Sequence, residues 1–248
     1  MPLPKLNNDT PRYEMTIPST KESVMFRPFL VKEQKTLLVA FESQDQKLIL
    51  SSLLGCLETC VPGINVKDLA TFDVDYMFTQ VRSKSVGEST TLLSACTECN
   101  EENEVKIKLD DIKLSEIKND INGKVVPLTD DISVELKYPT YNDLIRNTTL
   151  KDGGNKADVL FESIVSCLKA VQTQEENIVL RDEPKEEVET FVNSLTSEQL
   201  EKITNYVQDL PTLTHVQKFN CKKCGKVNVA KFEGLQDFFY YTSLMKRW

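Results

Sequence analysis

Tyr13, Met15 and Ile17 alternate with polar residues, and Val24 and Phe26 alternate again after the turn-forming run Pro18-Ser19-Thr20-Lys21-Glu22. A period of two on both sides of a turn predicts a β-hairpin, which Pro28 ends. From Leu30 the spacing becomes helical. Leu37, Leu38 and Phe41 share one side of a first helix, and Ile49, Leu53, Cys56 and Cys60 form the stripe of a second that Pro62-Gly63 stops. Asn65 is placed to cap a third, with Asp68 in its first turn and Val74, Met77, Phe78 and Val81 at i, i+3, i+4 and i+7.

After Gly87 the pattern changes to short strands, around Leu92 and Leu93 and then at Val105, Ile107 and Leu109, where charged residues alternate strictly. A charged, strand-like middle follows at Ile132, Val134 and Leu136. Three helices are predicted next: Thr140 to about Arg146, the run Leu160, Ile164, Cys167, Leu168, Val171, and Ser197 to Leu210. The last has the clearest start, because Thr196 and Gln199 make a capping-box pattern and Leu195 and Leu200 a hydrophobic staple. Its buried stripe is Leu200, Ile203, Val207 and Leu210, and Pro211 marks its end. No internal repeat is visible.

Cysteine usage changes this picture. The pairs Cys96-Thr97-Glu98-Cys99 and Cys221-Lys222-Lys223-Cys224 each place two thiolates on one side of a tight turn, and two such turns supply the four tetrahedral sulfur ligands that zinc prefers. A knuckle of this kind needs positive φ after its second cysteine. Gly225 adopts it freely and Asn100 is the next most tolerant residue type. Strand-like flanks, Leu92-Leu93 and Val105-Ile107 around the first pair and Val216-Phe219 and Val227-Val229 around the second, predict two β-hairpins pinched at their tips by one ion, a zinc ribbon. The ribbon is split, because the 121 residues from Asn100 to Asn220 intervene.

Other readings of the pairs are weaker. Redox dithiols lack a thioredoxin-like context, four free thiols leave the matched turns unexplained, and a catalytic zinc keeps a ligand position open, which four cysteines close. Cys56, Cys60 and Cys167 read as small buried hydrophobes. The single histidine, His215, reads as a surface or packing residue, and Asp110-Asp111, Asp130-Asp131 and Asp73-Val74-Asp75 as solvated carboxylates. The chain has 248 residues, 40% of them hydrophobic, which is enough for a sizeable core. Its net charge of −8 argues against nucleic-acid binding, no apolar run approaches a membrane span, and the start lacks a signal peptide's apolar core. With an odd total of seven cysteines, a reducing cytosol is the expected compartment. One histidine and no phosphate-binding glycine loop leave no catalytic site and no small-molecule substrate in view, so the chain reads as no enzyme.

The expected architecture is α+β. Residues 1–86 form the N-terminal hairpin and helices, 87–110 and 211–233 the two halves of the ribbon, and 111–210 a mixed, largely helical insertion. Residues 234–248 form an aromatic end, where Phe238, Phe239, Tyr240, Tyr241 and Trp248 either pack inside the fold or anchor a partner. Phe238 and Phe239 are the pair expected against the ribbon.

The run Phe26-Arg27-Pro28-Phe29-Leu30-Val31-Lys32-Glu33-Gln34-Lys35 resembles the N-terminal signature of the baseplate hub proteins of T4-like contractile-tailed bacteriophages. The opening Pro2-Leu3-Pro4-Lys5-Leu6, the helix from Leu37 to Ser43, the two knuckles and the closing Leu235-Gln236-Asp237-Phe238-Phe239 are similar to that family in the same order. The resemblance implies a role in tail assembly, as a hub subunit or a hub-assembly chaperone, with other baseplate hub proteins as partners. It implies residence in the host cytoplasm during assembly and, for a subunit, in the virion tail baseplate. It carries over no catalytic residue. The alternative from a different class is a zinc-ribbon transcription or replication accessory protein, which would need a basic face.

Overall fold

The computed structural model describes residues 10–116, 123–147 and 156–239. They form two compact units. The first takes its residues from 10–66, 73–114 and 213–239, the second from 67–72 and from 115–212.

The first unit opens with the hairpin of β1 (Tyr13–Thr16) and β2 (Ser23–Phe26), paired Tyr13 to Phe26 and Thr16 to Ser23. Met15, Ile17, Val24 and Phe26 are buried as the alternation requires. Its turn is clamped from elsewhere in the unit, because Ser19 donates its backbone N–H (2.9 Å) and its hydroxyl to the buried carboxylate of Asp73. Asp73 is therefore a structural acceptor, a correction to its reading as a solvated carboxylate. Helix α1 (Val31–Ser43) begins where Glu33, in its first turn, accepts the Leu30 backbone N–H at 2.8 Å and the Arg27 guanidinium at 3.0 Å. Asp45 caps α2 (Gln46–Cys60), whose Ile49, Leu53, Cys56 and Cys60 are all buried. Asn65 and Asp68 do not start the third helix. Val66–Asp68 is a separate 3-10 turn, and α3 (Thr71–Val86) begins after it, with Val74, Met77, Phe78 and Val81 buried in the core of this unit. The strands β3 (Ser89–Ala95) and β4 (Glu102–Lys108) then form an antiparallel hairpin, followed by the short β5 (Lys113–Leu114).

The second unit holds an antiparallel sheet in the order β6 (Lys124–Pro127), β7 (Ser133–Leu136), β8 (Leu168–Gln172), β9 (Asn177–Val179). It also carries α4 (Tyr141–Asn147), α5 (Lys156–Cys167), α6 (Lys185–Asn193) and α7 (Ser197–Gln208). The helix expected through Leu168 and Val171 stops at Cys167. Those two residues fit a helical stripe by spacing, but pairing with β7, Leu136 to Leu168 and Val134 to Val171, makes them a buried strand. The capping box of α7 is present as expected: Thr196 accepts the Gln199 backbone N–H at 3.3 Å, and Gln199 accepts that of Thr196 at 2.9 Å.

The chain re-enters the first unit with β10 (Leu213–Asn220), β11 (Val227–Glu233) and α8 (Gly234–Phe239). β10 lies between β11 and β5. Val216, Val227 and Val229 face solvent, and Asn228, Ala230 and Phe232 fill the inner face of β11. Among the described residues no helix is long and apolar enough to cross a membrane.

Candidate metal centre

Each knuckle is a hydrogen-bonded turn at the tip of its hairpin. In the first, Cys96 N–H donates to the Glu101 carbonyl (2.9 Å) and Asn100 N–H to the Cys96 carbonyl (3.0 Å). In the second, Cys221 N–H donates to Lys226 (2.9 Å) and Gly225 N–H to Cys221 (3.0 Å). Asn100 has φ +54° and Gly225 φ +73°, the left-handed backbone expected at both. A Cβ on Gly225 would meet nothing within 4 Å, so backbone conformation and not space selects the glycine.

The two tips meet. Cys96, Cys99, Cys221 and Cys224 place their sulfurs within 4.8 Å of one another, with 3.6 Å between Cys96 and Cys224, Cys99 and Cys221, and Cys99 and Cys224. A tetrahedral ion with metal–sulfur bonds of about 2.3 Å needs sulfurs about 3.8 Å apart, so the four fit one zinc-sized ion. All four donors of the cluster are thiols. His215 stands outside it, its ring nitrogens 3.2 Å from the Asp111 carbonyl oxygen and 3.3 Å from Gln217 Oε1.

The sulfurs are not equivalent. Cys96 and Cys221 are buried, Cys99 is half-buried and Cys224 is exposed. The backbone N–H groups of Cys99 and Glu98 turn toward Cys96 and bring its thiol down to about 6, and those of Cys224 and Lys223 lower Cys221 in the same way. For Cys99 the Glu101 N–H also pulls down, but burial and the three neighbouring thiols outweigh it and push the group up to about 12. Around the rim, Lys226 pairs with Glu98 at 2.5 Å, and Lys222 and Lys223 reach Glu101 at 3.4 and 3.6 Å, joining a basic knuckle to an acidic one. These exposed pairs contribute little to stability individually.

Two asparagines that the sequence reading passed over complete the arrangement. Asn103 donates to Cys221 Sγ (3.8 Å) and accepts from the Lys222 N–H (2.8 Å). Asn228 donates to Cys96 Sγ (3.4 Å) and accepts from the Thr97 N–H (3.0 Å) and hydroxyl (2.9 Å). The signal was present in the sequence. Cys96-x-x-Cys99-x-x-x-Asn103 and Cys221-x-x-Cys224-x-x-x-Asn228 are the same motif, so the ribbon does contain a short internal repeat.

The remaining cysteines stay apart from the cluster, Cys56 and Cys60 on α2 and Cys167 at the end of α5, all buried. Of the aromatics that sequence left open between packing and partner binding, Phe238 is fully buried, with its ring centroid 6.2 Å from that of Phe232 on β11, the ribbon packing expected of it. The backbone of Phe239 ends α8, and Tyr240, Tyr241 and Trp248 lie outside the described residues.

Among known families, residues 10–240 match the model of the one described as T4 bacteriophage base plate protein. No curated protein and no solved structure matches the chain.

Proposed function

The chain belongs to the T4 bacteriophage base plate protein family, and from that premise we propose that it is a baseplate hub protein whose four clustered cysteines hold one structural zinc. It acts by protein–protein contact with other hub proteins, as a subunit or as a hub-assembly factor, and not by catalysis. The observation that carries the metal reading is the spacing of the four sulfurs, 3.6 Å for three of the pairs. Four thiolates close the coordination shell, which suits a staple and leaves no position for substrate. Bound there, the ion would tie β3–β4 to β10–β11 across the 121 residues from Asn100 to Asn220. A ribbon of transcription or replication proteins is the weaker reading, since the lysines of the second knuckle are matched by Glu98 and Glu101 and offer no bare basic face.

Contact with hub partners is assigned to the chain end beyond α8, where Tyr240, Tyr241 and Trp248 supply the aromatic anchors. Deleting residues 242–248, which removes Trp248 and spares Tyr240 and Tyr241, is expected to leave melting temperature and zinc content unchanged and to weaken co-purification with hub proteins from infected cells. A truncated chain that unfolds makes the segment part of the core and ends that assignment. Quantitative mass spectrometry of purified virions against infected-cell lysate tests the role itself. A fixed copy number in virions identifies a subunit, and presence in hub assemblies but not in virions identifies an assembly factor. A chain found in neither overturns the hub reading.

A further inference from the structure

Asn103 and Asn228 are polar side chains at positions where β4 and β11 otherwise bury apolar ones. On β4 the inward series is Asn103, Val105, Ile107, and on β11 it is Asn228, Ala230, Phe232. A buried amide is costly unless its donors and acceptor are satisfied, so an asparagine in such a series is explained by its partners. Each amide nitrogen donates to a carbonyl of its own knuckle, Asn103 to Glu101 at 2.7 Å and Asn228 to Lys226 at 2.9 Å. Toward the other half, the same nitrogen donates to one sulfur, and the amide oxygen accepts from the backbone N–H of the residue that follows that sulfur's cysteine. The sulfurs chosen are Cys221 and Cys96, the first and more buried cysteine of each pair. The two contacts are the same contact with the halves exchanged.

We infer that Asn103 and Asn228 are positioning residues of the metal site, each strapping the first cysteine of the opposite half into place by an N–H···S bond. This inference rests on the metal reading given above. The strap has two physical consequences. It aligns the two knuckles through protein–protein bonds, so less chain entropy remains to be lost when the ion binds. It also withdraws charge from Cys96 and Cys221, since an N–H donated to a thiolate stabilises its negative charge.

Cobalt(II) added to the metal-stripped full-length chain reports both, since affinity follows from competition against a chromophoric chelator and the sulfur-to-cobalt charge-transfer band reads the sulfurs directly. Asn103→Ala and Asn228→Ala are each expected to weaken cobalt binding by about 10- to 100-fold, with a larger loss in the double variant. Both are expected to move the charge-transfer band to lower energy, because a thiolate stripped of an N–H donor gives up its electrons more easily. Only chains that have assembled the site contribute to that band, so a variant that folds incompletely still yields a reading. Affinities within twofold of wild type overturn the inference. Weaker binding with an unmoved band also overturns it, since that result makes the amides simple caps of the Lys222 and Thr97 N–H groups. A wild-type chain that takes up no cobalt overturns the metal reading itself, and this inference with it.

Discussion

Cys56 and Cys60 on α2 stand almost as close in sequence as the members of a knuckle, yet the two regions make opposite use of the thiol. At the ribbon tips the chain turns its backbone N–H groups toward the sulfurs, and Cys96 and Cys221 are both lowered by that arrangement. On α2 the backbone N–H groups are taken by the helix, and Cys56 is buried beside the Cys60 thiol, with the charges of Glu33 and Arg27 also acting on it. The hydrogen bond between the two α2 thiols and burial push Cys56 well above the ordinary thiol range, while the same bond lowers Cys60, so the shift there comes from the thiol pair itself and not from backbone donors. Cys167 is pushed up to about 12, by burial first. The lesson is that residue type and spacing do not decide what a cysteine does. Free N–H donors and four converging sulfurs make a metal ligand, and a helix face with neither makes a small hydrophobe.

The largest effect is expected at the ribbon. A Cys96→Ser, Cys221→Ser double variant loses both strapped sulfurs, and its zinc content is expected to fall from one per chain to none in metal analysis of protein purified without added metal. The variant forfeits the folding energy linked to the ion and also replaces two packed thiols by hydroxyls, so its melting temperature is expected to fall further than removal of the ion alone achieves. Undiminished zinc in the double variant would refute the ligand assignment. Chelation of the wild-type chain has a smaller effect that depends on the free metal replaced. Zinc held at about a thousand times its Kd stabilises by about 4 kcal/mol, so removing it should lower the melting temperature by about 10 °C. An unchanged melting temperature with the zinc gone would show that the ribbon needs no staple.

Both regions are legible in the sequence. The stripe of α2, the β1–β2 hairpin, both knuckles and the positive φ of Asn100 and Gly225 are local signals, because the residues that impose them lie within a few positions. What the sequence hides is set at long range. Asp73 looks like surface acid until Ser19, 54 residues away, is placed against it. Leu168 and Val171 look helical until β7 pairs with them. α6 offers only Val188 and Val192 as buried apolar residues among acids, too thin a stripe to read. Asn103 and Asn228 find their sulfurs 118 and 132 residues away, so their role is legible only once the two halves are recognised as one repeated motif.

The entry to α1 shows that N–H donors onto an anion also operate outside the ribbon. Burial of Glu33 raises its pKa, but the Leu30 N–H and the Arg27 guanidinium outweigh that and hold the carboxyl below its ordinary value. A depressed carboxyl pKa stabilises the fold fully above the unfolded-state value, near 4.3, and the contribution is lost as the pH falls through the folded value. Glu33→Gln is therefore expected to cost about 1–2 kcal/mol in denaturant unfolding at pH 7 and close to nothing at the acid end, where wild type has lost the same charge. A cost that stays constant on acidification would assign the effect to packing.

The smallest change, Cys56→Ala, tests the division between the two kinds of cysteine most directly. It removes one sulfur from a packed helix face, where deleting a single heavy atom costs about 1 kcal/mol. It leaves all four sulfurs of the cluster untouched, so zinc is expected to stay at one per chain. Thiol labelling adds a second readout. In the folded, metal-loaded chain Cys56, Cys60 and Cys167 are buried and should resist alkylation. After chelation the exposed Cys224 should react before the buried Cys96 and Cys221, because a reagent must reach a sulfur before its thiolate character matters. Loss of zinc in Cys56→Ala, or labelling of Cys56 ahead of Cys224, would show that the α2 thiols and the ribbon thiols belong to one coupled system and not to two.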